Sequence, residues 1–171
     1  MLNRLKNKKG FTLSETMAAL LILSLVIVLT GGGVIVVKNA YQRITLKANA
    51  QVLMSTTITK VNDEFKYAKE VNTTVDPKDS SKTYTTFVSG NSNLKTAFKN
   101  DTSKGIELYY IYGDNVKTTQ LLSDKTMTDG MIPSITYDYS TSDKLFTATI
   151  TIKKGDSTIS TQELKVRPIE E

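Results

Sequence analysis

The feature that most restricts this chain is an apolar run from Met17 to Val37, in which 21 successive residues carry no charge. As an α-helix at ~1.5 Å per residue the run extends about 31 Å, the thickness of a bilayer's hydrocarbon core. Four bases, Arg4, Lys6, Lys8 and Lys9, precede it, and no acid stands among the first ten residues. Positive charge concentrates on the cytoplasmic flank of a spanning helix, so residues 1–10 are expected in the cytoplasm and the remainder outside.

Beyond Lys38 the chain becomes polar without losing helical periodicity. Val37, Tyr41, Ile44 and Ala48 fall on one stripe, and Met54, Ile58, Val61, Phe65 and Ala68 continue at spacings of four and three. The pattern predicts one helix over about 11–70, with a transmembrane part at about 17–37. Its inner half is greasy on every side and its outer half only along a stripe, so the outer half must pack on something. The covering layer is expected from residues 71–171, where the period changes to 2 and turn residues separate the runs. Strands are predicted at Tyr84–Ser89, Lys95–Lys99, Ile106–Tyr112, Ile135–Tyr139, Leu145–Ile152 and Thr158–Val166. The last two form a hairpin turned by Lys154-Gly155-Asp156, and Asn100 to Gly105 turns another. Asp76-Pro77-Lys78-Asp79 reads as a loop closing the helix, and Asp63 and Glu64 as its solvent side. The expected class is α+β: a long N-terminal helix packed on a small C-terminal antiparallel sheet, a lollipop.

Composition bears on function mainly through what is missing. There is no cysteine and no histidine, so there is no disulfide framework, no thiol for a lipid, and neither the usual zinc or copper ligands nor the usual nucleophile and base pairs. The reading is therefore non-enzymatic, without cofactor or metal. A net charge of +5 comes mostly from the N-terminal segment: setting aside its four bases leaves 18 against 17 acids. Net charge thus argues little for nucleic acid.

Lys8-Lys9-Gly10-Phe11-Thr12-Leu13-Ser14-Glu15 resembles the leader junction of type IV prepilins and of the pseudopilins of secretion and competence systems. A short basic leader, a glycine, a phenylalanine, a glutamate four residues later and an apolar helix stand in register. The resemblance implies that a prepilin peptidase cuts after Gly10 on the cytoplasmic side and that the new amine of Phe11 is methylated. It also implies that the apolar segment is retained for assembly with other pilin subunits. Ala48 to Thr57 and Val166-Arg167-Pro168 are similar to prepilin-like proteins of Gram-positive anaerobes, although the cysteine pair usual near the C-terminus of pilins is missing.

The residues themselves agree with that chemistry. Gly10 permits an extended backbone at a cut, or simply a flexible joint. Glu15 is the sole charge between Gly10 and Lys38, and an ionised group in hydrocarbon costs on the order of 2.5 kcal/mol or more unless paired. Its partner is either the Phe11 amine, in the same or a neighbouring subunit, or the positive end of the helix dipole. Gly31, Gly32 and Gly33 each weaken a helix by roughly 0.8–1 kcal/mol relative to alanine. They mark a point of local melting in a filament, close packing by small residues, or a conventional cleavage site after Leu29.

Two other constellations each admit a binding role and a plainer one. Tyr109, Tyr110, Tyr112, Tyr137 and Tyr139 with Lys95, Lys99 and Lys104 suit a surface for single-stranded DNA, against the commoner role of strand tyrosines in packing. Asn100, Asp101, Asp114, Asn115 and Asp143 suit calcium, against ordinary turn chemistry. The leading functional reading is a major or minor subunit of a surface filament. Its alternatives are a pseudopilin of a secretion or DNA-uptake apparatus and a single-pass anchored ligand-binding protein.

Overall fold

The computed structural model describes residues 10–169, so the expected leader, apart from Gly10, lies outside the described residues. One long helix, α1 (Leu13–Lys66), is followed by β1 (Lys69–Asp76), β2 (Asp79–Val88), β3 (Lys95–Asp101), β4 (Gly105–Tyr112) and β5 (Asn115–Gln120). A single 3-10 turn at Thr128–Gly130 leads into β6 (Met131–Ser140), β7 (Leu145–Lys154) and β8 (Ser157–Val166). The class is α+β with antiparallel sheets. Contacts divide the chain into two units, Met1–Thr45 and Leu46–Glu171.

In the first unit α1 has no buried residue. Leucine, isoleucine, valine and alanine make the helix, and its polar exceptions are satisfied internally. Ser24 Oγ donates to the Leu21 carbonyl and Thr30 Oγ1 to that of Val26, each at 2.8 Å. Large apolar side chains from Leu20 to Leu29 and from Val34 to Val37 face outwards, 49–74% exposed. A surface of that kind needs lipid or other helices around it.

In the second unit the face of α1 bearing Ala50, Leu53, Met54, Thr57, Val61 and Phe65 is buried. Buried Thr57 donates its hydroxyl to the Leu53 carbonyl at 2.7 Å, which lets a polar residue sit on an apolar face. Phe65 stacks on Phe146 with centroids 4.2 Å apart and meets Phe87 and Phe98 edge-on at 5.6 and 5.3 Å. Helix and both sheets therefore share one aromatic centre.

β1 to β5 form a five-stranded meander and β6 to β8 a three-stranded one. The alternation in β7 is strict: Phe146, Ala148, Ile150 and Ile152 are buried, while Leu145, Thr147, Thr149 and Thr151 are half-exposed. The two predicted hairpins are present, with left-handed glycines where their turns need them, Gly105 at φ +74° and Gly155 at φ +56°.

Three expectations are corrected. The helix stops at Lys66, short of the expected 70, and Lys69 already belongs to β1. Asp76 to Asp79 is not a loop closing the helix but the turn joining β1 to β2, and β1 and β5 are strands beyond those predicted. Their few apolar residues explain why: β1 has Val71 and Val75, and β5 has only Val116. Glu64 does not face solvent. It is buried, with its carboxylate accepting from Ser89 Oγ at 2.7 Å and Asn91 Nδ2 at 3.0 Å, so the loop after β2 is tied to the helix. Asp63 is exposed as expected.

The sheets meet through side chains standing in for a ladder. β2 pairs with β3 through Phe87↔Thr96 and Val88↔Lys95 alone. Continuing that register would bring Thr85 opposite Phe98. Instead the Tyr137 hydroxyl from β6 occupies the split, accepting from the Phe98 N–H at 3.0 Å and donating to the Thr85 carbonyl at 2.6 Å. Asn100 caps the free edge of β6 in the same manner, donating to the Ile135 carbonyl and accepting from its N–H, both at 2.8 Å.

Candidate functional site

The candidate site is the start of α1 and the backbone before it. Gly10, Phe11 and Thr12 precede the first helical residue and are exposed, Phe11 at 85%. Among the described residues, Gly10 and its sequence neighbours aside, no atom lies within 4 Å of where a Gly10 side chain would begin. The Gly10–Phe11 bond is thus open to an enzyme and free of helical hydrogen bonds that cleavage would have to break.

Thr12 and Glu15 close a reciprocal capping box. The Glu15 N–H donates to Thr12 Oγ1 at 3.3 Å, while Glu15 Oε2 accepts from the Thr12 N–H at 2.8 Å and from Thr12 Oγ1 at 2.9 Å. The helix start is therefore set by Thr12-Leu13-Ser14-Glu15, and the carboxylate at the positive end of the helix dipole is locally satisfied. That is the dipole role raised for Glu15 from sequence. α1 runs through Gly31, Gly32 and Gly33 unbroken, and nothing within 4 Å would obstruct a side chain at any of them.

Comparison with known families bears on this same segment. Residues 5–31 match the model of the prokaryotic N-terminal methylation motif. The chain carries a prepilin signature. It is the signature of type IV pilins and pseudopilins, and its span includes Gly10, Phe11, Glu15 and Gly31. No curated protein and no solved structure matches the chain. The signature ends where the exposed apolar helix is still running, which fits a transmembrane anchor.

The other candidates dissolve into packing. Tyr109 is buried and donates its hydroxyl to Asp76 Oδ1 at 2.7 Å, and Tyr137 is held between strands. Neither offers a free ring face for a base. Tyr110 and Tyr139 pack against the main core and Tyr112 alone is exposed. Burial pushes the Tyr137 hydroxyl up to about 12 and raises that of Tyr109, beside the Asp76 carboxylate, further still.

The residues that would suit calcium do not converge: Asn100 is bonded to the β6 edge, and the others lie at separate turns. Asp101 accepts from the N–H groups of Lys104 and Ser103, which hold its carboxyl down at about 2. Asp143 accepts from Ser140 Oγ at 2.7 Å, and Asp114 and Asn115 lie at the turn between β4 and β5. Among the described residues no three acidic side chains converge as a metal site would require.

One polar cluster escaped sequence reading. Buried Asp76 receives the Lys78 N–H at 2.9 Å and the Tyr109 hydroxyl, and Lys99 Nζ lies 3.6 Å away and 4.2 Å from the Tyr109 ring centre. Burial works to raise its carboxyl, but those donors and the ammonium outweigh it and hold it below the ordinary aspartate range. The cluster fastens the tip of the β1–β2 hairpin over β4. Asp76-Pro77-Lys78 was the available signal, since an aspartate two residues before a free N–H favours such a turn.

Proposed function

We propose that the chain is the precursor of a structural subunit of a type IV pilus-like surface filament. A prepilin peptidase cuts after Gly10, the Phe11 amine is methylated, and the mature helix carries the subunit from the membrane into a filament of like subunits. The observation that carries this reading is the methylation motif over residues 5–31, in register with the exposed Gly10–Phe11 bond and the capped helix behind it. Residues 1–10 are then the cytoplasmic leader, α1 the anchoring and assembly helix crossing the membrane at about 17–37, and the chain beyond Val37, including the outer half of α1 and both sheets, the part outside.

Assembly follows from the apolar surface. Lipid covers it in the membrane and neighbouring helices replace lipid in the filament, so little apolar area is exposed on transfer. Cutting frees an amine at Phe11, and Glu15 then has a cationic partner in its own or an adjacent subunit, in place of the Thr12 donors that hold it before the cut. Gly31 to Gly33 supply a stretch where the helix unwinds or packs closely at small cost. A pseudopilin would share the processing and differ in reaching no surface filament.

Intact mass and N-terminal sequencing of the mature protein test the proposal. The expected product begins with N-methylated Phe11. A chain that starts at Met1 in cells containing an active prepilin peptidase refutes it.

A further inference from the structure

Just past the apolar run, α1 carries Lys38, Tyr41 and Arg43, all exposed, Tyr41 at 70%. Among the described residues neither cation has an ion-pair or hydrogen-bond partner. No acid occurs anywhere between Glu15 and Asp63, so the cations are not neutralised along the helix either. We infer that Lys38, Tyr41 and Arg43 form a collar that binds anionic phospholipid headgroups at the outer membrane surface. The inference rests on α1 spanning the bilayer as proposed above.

Depth and angular placement select this partner. Arg43 is six residues beyond Val37, about 9 Å along the axis, and Lys38 about 1.5 Å. The headgroup layer is roughly 5–8 Å thick on each side of the hydrocarbon, and a long side chain on a flexible stem covers the difference. Both charges therefore reach the phosphate level. Tyr41 between them has the amphipathic ring that sits at such an interface. Five positions separate the cations, which turns Arg43 about 140° around the helix from Lys38. A protein docking on one helix face would meet one of them. A layer surrounding the helix at fixed height meets both.

The chain has no tryptophan, so Val37→Trp places a single fluorophore beside the collar. The full chain carrying it is reconstituted in vesicles of brominated phosphatidylcholine, with rising fractions of unbrominated phosphatidylglycerol. Quenching in brominated phosphatidylcholine alone reports insertion. Cations of the leader act at the far surface, about 30 Å away, beyond the short reach of bromine quenching. Phosphatidylglycerol should displace the quencher beyond its mole fraction, with a relative affinity on the order of 5-fold for each cation engaged. Lys38→Gln with Arg43→Gln should return that affinity to one, and Lys60→Gln, well beyond the headgroups, should leave it unchanged. Equal affinity for the two lipids in the parent overturns the inference, and so does a preference that survives the double substitution. Absence of any quenching in brominated phosphatidylcholine would instead remove the spanning helix, and the collar with it.

Discussion

Replacing Tyr137 by phenylalanine removes one oxygen atom and tests how the two sheets are joined. The ring should stay, keeping its neighbours Phe65 at 5.5 Å and Phe98 at 5.6 Å between centroids. The Phe98 N–H and the Thr85 carbonyl, both now bonded to the hydroxyl, lose their partner. A buried backbone group left unpaired costs about 1–3 kcal/mol, and two are affected, so a loss of roughly 2–4 kcal/mol is expected after partial relaxation. For a unit of this size that lowers the melting temperature by roughly 8–15 °C. The assay is thermal and urea unfolding of a soluble fragment, residues 38–171, with amide exchange at Phe98 followed by NMR. Faster exchange at Phe98 together with the lower midpoint is the expected result. The hydroxyl's pKa near 12 means the difference should persist unchanged across neutral and mildly alkaline pH. An unchanged midpoint with Phe98 still protected would refute the reasoning, because β2 and β3 would then have closed onto each other without cost.

Truncating Phe65 to alanine removes the ring on which helix and both sheets converge, and should cost about 3–5 kcal/mol in the same unfolding assay; a midpoint within error of the parent would place the centre of the core elsewhere. Below about pH 4 the unit should lose stability because Asp76, Asp79 and Asp101 have folded pKa values below their unfolded ones. Their contribution is complete above the ordinary aspartate range near 4 and drains away as pH falls towards about 2. Asp76 is the buried one, so Asp76→Asn should flatten the acid limb, and an identical limb in that variant contradicts its role. In cells, Gly10→Val should leave precursor in the membrane, read as a slower band on a gel, whereas equal mature protein from mutant and parent would show that the cut tolerates a branched side chain. Glu15→Leu should insert and be processed yet be missing from sheared surface filaments, since an uncompensated Phe11 amine beside other helices costs more than the pair was worth. Its appearance there at parental level, on immunoblots from a strain lacking the native copy, would leave Glu15 with its helix-capping role alone.

What the sequence determined by itself had a local cause. An uncharged run of 21 residues and a basic stretch ending in Gly10-Phe11 each act through neighbours along the chain, so the course of α1 and the methylation motif were readable directly, whereas the Thr12–Glu15 capping box, equally local, emerged only from the structure. The β3–β4 and β7–β8 hairpins were readable for the same reason, each having a turn glycine between alternating strands. Tertiary structure decided the rest. β1 and β5 have too little apolar pattern to announce themselves and exist because β2 and β4 supply their hydrogen bonds. Glu64 looks like a solvent residue until Ser89 and Asn91, more than twenty residues away, bury it with two donors. Asp76 with Tyr109, and Tyr137 between Thr85 and Phe98, likewise join residues 33 to 52 positions apart or more than one strand removed. A polar side chain is buried or exposed according to whether partners from elsewhere in the chain offset its desolvation, and those partners exist only once the sheets have closed.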